Sequence, residues 1–299
     1  MSPIVLGIWL FAVGACVGSF LNVCIYRLPA GLSIVWPPSH CTKCLKPIAW
    51  YDNLPILSYF LLRGRCRRCG ATYSVQYALV ELMTGLLAVG FYVAYFVFQV
   101  RGTDSARWSV YLVHMALVAA LIVSSLIDLK YKEIYTVVTN VGMVLGLAAG
   151  ALFPALHGGA NPVAAGGSVL PNWFGGGWLD GLIRAAAGLV VGGGMIWLTA
   201  LGGRLAFRRE AMGFGDVLLM GLIGSVLGPE AAVLTYFLAP FFGLIYGVWN
   251  LALHKDHELP YGPFLSMAAV IVMLTQSRLM NHFWPGLQSI WLSLSGGGL

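Results

Sequence analysis

MSPIVLGIWLFAVGACVGSFLNVCI, residues 1–25, is an apolar run without a single charged side chain. Crossing the hydrocarbon core of a bilayer takes roughly 20 apolar residues, so this stretch is long enough to span. A cleaved secretory signal would open with a basic segment and carry a shorter apolar one. The expectation is therefore an uncleaved first transmembrane helix, and the rest of the chain is read outward from it.

Composition supports a membrane reading throughout. Of 299 residues, 59% are hydrophobic and 9% charged, where soluble domains carry about 25% charged residues. The net charge of +6 is no sign of nucleic-acid binding, because the basic residues are thinly spread and flank apolar runs. Apolar stretches predict helices at about 4–25, 78–100, 108–128, 135–153, 182–202, 214–227, 231–253 and 261–276. That makes eight spans, or seven if the sixth merges with the seventh across Gly228-Pro229-Glu230. The fold class expected is an all-α polytopic membrane protein. No internal repeat is visible.

Lys and Arg concentrate on the cytoplasmic side of membrane proteins. With the N-terminus outside, the inner segments hold Arg27, Lys43, Lys46, Arg63, Arg65, Arg67, Arg68, Lys130, Lys132, Arg204, Arg208, Arg209 and Lys255, 13 of the 17 basic residues. The long 154–181 loop has neither Lys nor Arg and falls outside. The division expected is a first helix at 1–26, a small cytoplasmic domain at 27–76, a membrane domain at 77–278 and a C-terminal tail at 279–299.

The insertion at 27–76 holds the pairs CTKC (Cys41, Cys44) and CRRC (Cys66, Cys69). Four thiolates on two tight turns suit a tetrahedral, structural Zn²⁺, and a reducing compartment disfavours disulfides. About fifty residues make a small core, so a metal staple has physical work to do. Redox-active or unliganded pairs are the alternatives. Cys16 and Cys24 lie in the first span and read as packing residues.

Acidic residues number only 11. Asp104, Asp180, Glu230, Asp256 and Glu258 fall in loops, and Asp52 in the insertion. Glu81, Asp128 and Asp216 stand at the cytoplasmic ends of the second, third and sixth spans, with Glu133 and Glu210 close by. A carboxylate in a span costs about 2.5–3.5 kcal/mol at its centre and less near an interface, so each needs a reason. Two carboxylates sharing a site can divide one proton, the ionised one activating water while the neutral one protonates. Asp216 follows Gly213 and Gly215 in AMGFGDVLL (211–219), where small residues allow close approach of backbone or substrate. It equally suits a residue that caps the sixth helix.

Taken in order, GSFLNVCIYRLP (18–29), SIVWPPSHCTKC (33–44), LLRGRCRRCG (61–70), YALVELMTG (77–85), SSLIDLKYKEI (124–134), AMGFGDVLLM (211–220) and PYGPFLSMAAVI (260–271) resemble the bacterial prepilin peptidases, intramembrane aspartyl peptidases of the GxGD type. The resemblance covers nearly the whole chain. It implies a multi-pass enzyme of the bacterial inner membrane, its active site facing the cytoplasm. Such an enzyme removes the leader of type IV prepilins or type II secretion pseudopilins after a glycine. It then N-methylates the new terminus from S-adenosylmethionine. It further implies Asp128 and Asp216 as the catalytic pair and Cys41, Cys44, Cys66 and Cys69 as zinc ligands. Prepilins or pseudopilins and membrane lipid are the implied partners, and no nucleic acid. Two positions depart from the family pattern: Ile134-Tyr135-Thr136 stands where many members have LPD, and Leu218 where many have Lys. Alternatives are a peptidase without methyl transfer, an ion-coupled transporter using the same aspartates, and a zinc-ribbon scaffold without chemistry.

Overall fold

The computed structural model describes residues 2–100, 106–157, 176–207, 212–253 and 260–276. Arg208, Arg209, Lys255, most of the 154–181 loop and the 279–299 tail lie outside them. Helix α1 (Pro3–Arg27) begins where Ser2 Oγ accepts the Val5 N–H at 3.3 Å, with Pro3 at the first helical position, a favoured start because proline lacks only a donor that would be unpaired there. The insertion then contributes the single-turn helix α2 (Leu57–Leu61). After it come α3 (Gln76–Tyr92), continued by a π-turn at Val93–Val97, α4 (Arg107–Tyr131) and α5 (Thr136–Leu152). Then follow α6 (Trp178–Phe207), α7 (Phe214–Leu227), α8 (Pro229–Leu253) and α9 (Gly262–Gln276).

Among the described residues, five helices are long and apolar enough to cross a membrane, and α5, α7 and α9 are shorter apolar helices. This is a polytopic membrane protein, and among the described residues it has eight apolar helices, as the hydropathy pattern predicts. The sixth and seventh stretches are separate helices: Gly228 breaks between them at φ 87°, ψ 171°, a conformation essentially confined to glycine. Helix α7 has only 14 residues, and from Leu219 to Leu227 every one is buried. Enclosed by its neighbours, it has no need to span lipid unaided.

Small residues set the helix spacing. Lipid supplies no hydrophobic drive between helices, so close van der Waals contact must do that work. Gly14 and Gly18, one turn apart on α1, lie against α3: a Cβ on Gly14 would sit 2.8 Å from Ala88 Cβ, and one on Gly18 2.7 Å from Glu81 Cα. Between α6 and α7 the fit is closer still. A methyl on Gly188 would run into the Gly224 carbonyl oxygen, and a methyl on Gly224 into that of Gly188.

Helices α1 and α3 run antiparallel, with Asn22 Nδ2 donating to the Tyr77 carbonyl at 3.0 Å near the end that carries the insertion. Tyr77 is also within electrostatic reach of Lys130 on α4. The insertion and the Asp128 end of α4 thus share one end of the helix bundle.

Candidate active site and metal centre

Asp128 sits three residues before the end of α4, whose C-cap, Lys132, adopts the left-handed conformation at φ 59° and returns its N–H to the Asp128 carbonyl at 2.8 Å. That reversal sends the chain through Glu133-Ile134-Tyr135 into α5. Asp216 occupies the third position of α7, and its N–H donates to the Gly213 carbonyl at 3.1 Å. Gly213 holds the N-cap and has no side chain to cap with; the Asp216 carboxylate instead turns back to the Gly213 backbone N–H, so Asp216 supports the start of the helix as well as facing Asp128.

Two glycines bring the ends together. A Cβ on Gly215 would lie 2.7 Å from Ile134 Cβ, so only glycine lets the start of α7 rest on the α4–α5 turn. Gly262, the first residue of α9, approaches from another side. Its N–H donates to Asp128 Oδ2 at 2.9 Å, and a Cβ there would stand 2.8 Å from the same oxygen. Ser125 Oγ donates to Ser266 Oγ at 2.8 Å, and Ser266 Oγ to the Gly262 carbonyl at 2.9 Å, tying α9 to α4 beside the carboxylate. Asp128 and Asp216 retain 5% and 9% of their exposure and are close enough for their charges to interact. Tyr261 lies within electrostatic reach of Asp216, and Lys132 within reach of Asp128.

Of the other acidic groups the sequence singled out, Glu81 does not join this pair. Its carboxylate accepts the Ile56 N–H at 2.7 Å, holding a β-branched residue at φ 64°, a conformation such residues rarely adopt. Asp52 is also engaged, accepting from Arg67 Nε and Nη2 in a forked ion pair at 2.6–2.9 Å. Gly262, Ser125 and Ser266 were not singled out by the sequence. Glycine and serine are too common in such a chain to signal a site, although all three lie inside motifs that carry the resemblance, Ser125 in 124–134 and Gly262 and Ser266 in 260–271.

The insertion brings Cys41, Cys44, Cys66 and Cys69 together with all four sulfurs within 4.8 Å of one another. Cys41 and Cys69 Sγ are 3.8 Å apart. Zinc–thiolate bonds of about 2.3 Å in a tetrahedron separate the sulfurs by about 3.8 Å, so the donor set fits that ion. Each pair ends in a matching turn. The Leu45 N–H returns to the Cys41 carbonyl at 2.8 Å and the Gly70 N–H to the Cys66 carbonyl at 2.9 Å, with φ of 57° and 70°. Backbone N–H groups of Cys44 and Lys43 directed at Cys41 Sγ lower that thiol to about 6, while, against the Ala71 N–H, desolvation and the neighbouring sulfurs raise Cys69 to about 11. The cluster thus favours one thiolate, and a bound cation would be needed to hold the others ionised. Cys24 is buried, as a packing residue should be, whereas Cys16 is exposed on α1.

Two nearly buried aspartates facing each other at the end of a polytopic helix bundle, with a four-cysteine insertion at the same end, define a membrane protein with the parts of an aspartyl peptidase. Comparison with known proteins agrees. Residues 12–95 match the bacterial peptidase A24 N-terminal domain, and residues 115–248 the type IV leader peptidase family. The prepilin leader peptidase/N-methyltransferase of Myxococcus xanthus (strain DK1622) is 35% identical over 245 residues, covering 82% of this chain and 63% of the relative. The protein of the same name from Aeromonas salmonicida (strain A449) is 30% identical over 292 residues, covering 88% and 89%. The type 4 prepilin-like proteins leader peptide-processing enzyme of Escherichia coli O78:H11 is 32% identical over 282 residues, covering 88% and 92%. No solved structure matches. The chain belongs to the type IV leader peptidase family.

Proposed function

We propose that this protein is a leader peptidase and N-methyltransferase of the inner membrane, acting on type IV prepilins or type II secretion pseudopilins, with Asp128 and Asp216 as its catalytic residues. The observation that carries the peptidase reading is the meeting of two nearly buried carboxylates, from helices almost ninety residues apart, across the Gly215–Ile134 contact. Asp128, with one oxygen engaged by the Gly262 N–H, takes the role of base, since an ionised carboxylate only accepts. It removes a proton from water as the water oxygen attacks the carbonyl carbon of the glycine before the scissile bond. Asp216 gives its proton to the carbonyl oxygen; as the resulting gem-diol collapses, Asp128 passes the proton it took from water to the departing amine and Asp216 recovers one from the hydroxyl, which restores the pair. The family's two-step activity supports methylation of the freed amine, with S-adenosylmethionine as the consumed methyl donor.

We read residues 27–76 as a cytoplasmic domain and the four cysteines as ligands of a structural zinc, since four thiolates leave no open coordination position. The basic-residue distribution supports a cytoplasmic active site and an outer N-terminus. Incubating the purified protein with a prepilin and S-adenosylmethionine, then weighing the mature N-terminus by mass spectrometry, tests both activities. A cleaved and methylated product is expected, and an intact prepilin overturns the reading. A cleaved but unmethylated product would select the peptidase-only alternative.

A further inference from the structure

One part of the insertion serves neither the aspartate pair nor the cysteines. Arg27, the last residue of α1, is buried, and its guanidinium donates to the Ser33 carbonyl at 2.9 Å and the Pro37 carbonyl at 2.8 Å. Ser33 Oγ accepts the N–H groups of Val35 and Trp36 at 3.3 and 3.2 Å, so the five-residue loop is firmly made. Ile34 packs back onto the core. Val35 and Trp36 point the other way, at 81% and 73% exposure. A loop clamped at both flanks that presents a valine and a tryptophan outward is a built apolar tip that no described residue covers.

Its position names the occupant. The clamp is the final residue of a candidate span, and no atom of the tip is more than two residues from an anchor, a reach of about 7 Å. The headgroup layer on each side of the hydrocarbon core is of that order, the full bilayer being about 40–45 Å against about 30 Å of core. On α1 itself, Val13, Val17 and Phe20 form an exposed stripe at helical spacing, so the loop hangs from a helix with an apolar outward face. Tryptophan favours the interface because one edge of its ring is apolar and the other donates a hydrogen bond. Charge points the same way: residues 28–75 hold six Lys and Arg against one acidic residue, +5 of the chain's +6, which suits an anionic lipid surface.

We infer that the Val35–Trp36 tip inserts into the headgroup layer of an anionic bilayer and, with the basic residues behind it, holds the cysteine insertion against the membrane. The inference is independent of the peptidase reading, and its test needs no turnover. The full-length protein carrying a benzophenone amino acid at position 36 is placed in nanodiscs of phosphatidylethanolamine and phosphatidylglycerol and irradiated. Bound metal serves as the check on folding. Lipid adducts at residue 36 are expected, with a yield several-fold higher than in phosphatidylcholine alone. An unaltered tip is tested by comparing wild type with Trp36→Phe: the fluorescence they differ by should be quenched by lipids brominated near the headgroup. No lipid adduct and no quenching of that difference would overturn the inference. So would a preference for cross-linking to an added prepilin over lipid, which would make the tip a substrate contact.

Discussion

The cysteine insertion and the helical half from α4 onward reach order by opposite means. Between Leu28 and Tyr77 no apolar side chain is buried. The insertion is held by turns, by the Arg27 clamp, by the Asp52–Arg67 pair and by whatever joins the four sulfurs. In the helical half the sequence Leu219–Leu227 is buried without a gap, and glycines bring backbones to contact. A region without a core depends on a few strong points, and removing one releases the whole. A region packed on glycines fails instead when something is added.

Four changes test that contrast. The largest effect is expected from Cys44→Ser. Structural zinc in small domains is worth on the order of 10 kcal/mol of folding, so this variant should lose metal by elemental analysis and open residues 28–75 to hydrogen exchange, with methylation lost. The helical half and cleavage should be less affected; uniform loss of protection through α4–α9 would break the contrast.

Asp216→Asn leaves the packing nearly unchanged and removes a titratable proton. Prepilin cleavage should fall about 10²–10⁴-fold, the usual worth of a positioned acid or base, with metal content intact. The Asp128→Asn/Asp216→Asn double variant should be little worse than either single change, because residues acting as a unit are not additive. Near-normal cleavage by a correctly inserted Asp216→Asn protein would remove this residue from the mechanism.

Gly224→Ala adds one methyl where the Gly188 carbonyl oxygen lies. Overpacking of this kind costs about 1–3 kcal/mol. The thermal unfolding midpoint should drop while bound metal per chain stays at the wild-type value. An unchanged midpoint would mean that α6 and α7 are not in such close contact.

The smallest effect belongs to Leu45→Gly. Leu45 holds in the first turn the left-handed position that Gly70 holds in the second, and its side chain is exposed. A left-handed residue with a Cβ costs about 1–2 kcal/mol, partly offset by the greater freedom glycine loses on folding, about 0.5–1 kcal/mol. The variant should retain metal slightly longer against a chelator. Faster loss would show that the leucine side chain packs on something the exposed turn does not reveal.

Much of this was legible in the chain itself. Hydropathy is additive along a sequence and the bilayer fixes the required length, so the apolar stretches predicted eight helices. Their ends moved by a few residues where caps and turns decide, as in α6, expected at 182–202 and found at Trp178–Phe207. The cysteine cluster was equally legible, since each C-x2-C places two sulfurs through local turn geometry, and only the joining of the two pairs remained. The rarity of acidic residues at span ends narrowed the field to Glu81, Asp128 and Asp216, and the family resemblance selected the two aspartates. What only the tertiary structure decided are contacts between ordinary residues far apart in sequence: Gly215 on Ile134, Gly188 on Gly224, the Gly262 N–H on Asp128 with Ser125 and Ser266 beside it. A glycine carries no mark of what will come close to it. Its use is space, and space is defined only when another helix arrives to fill it.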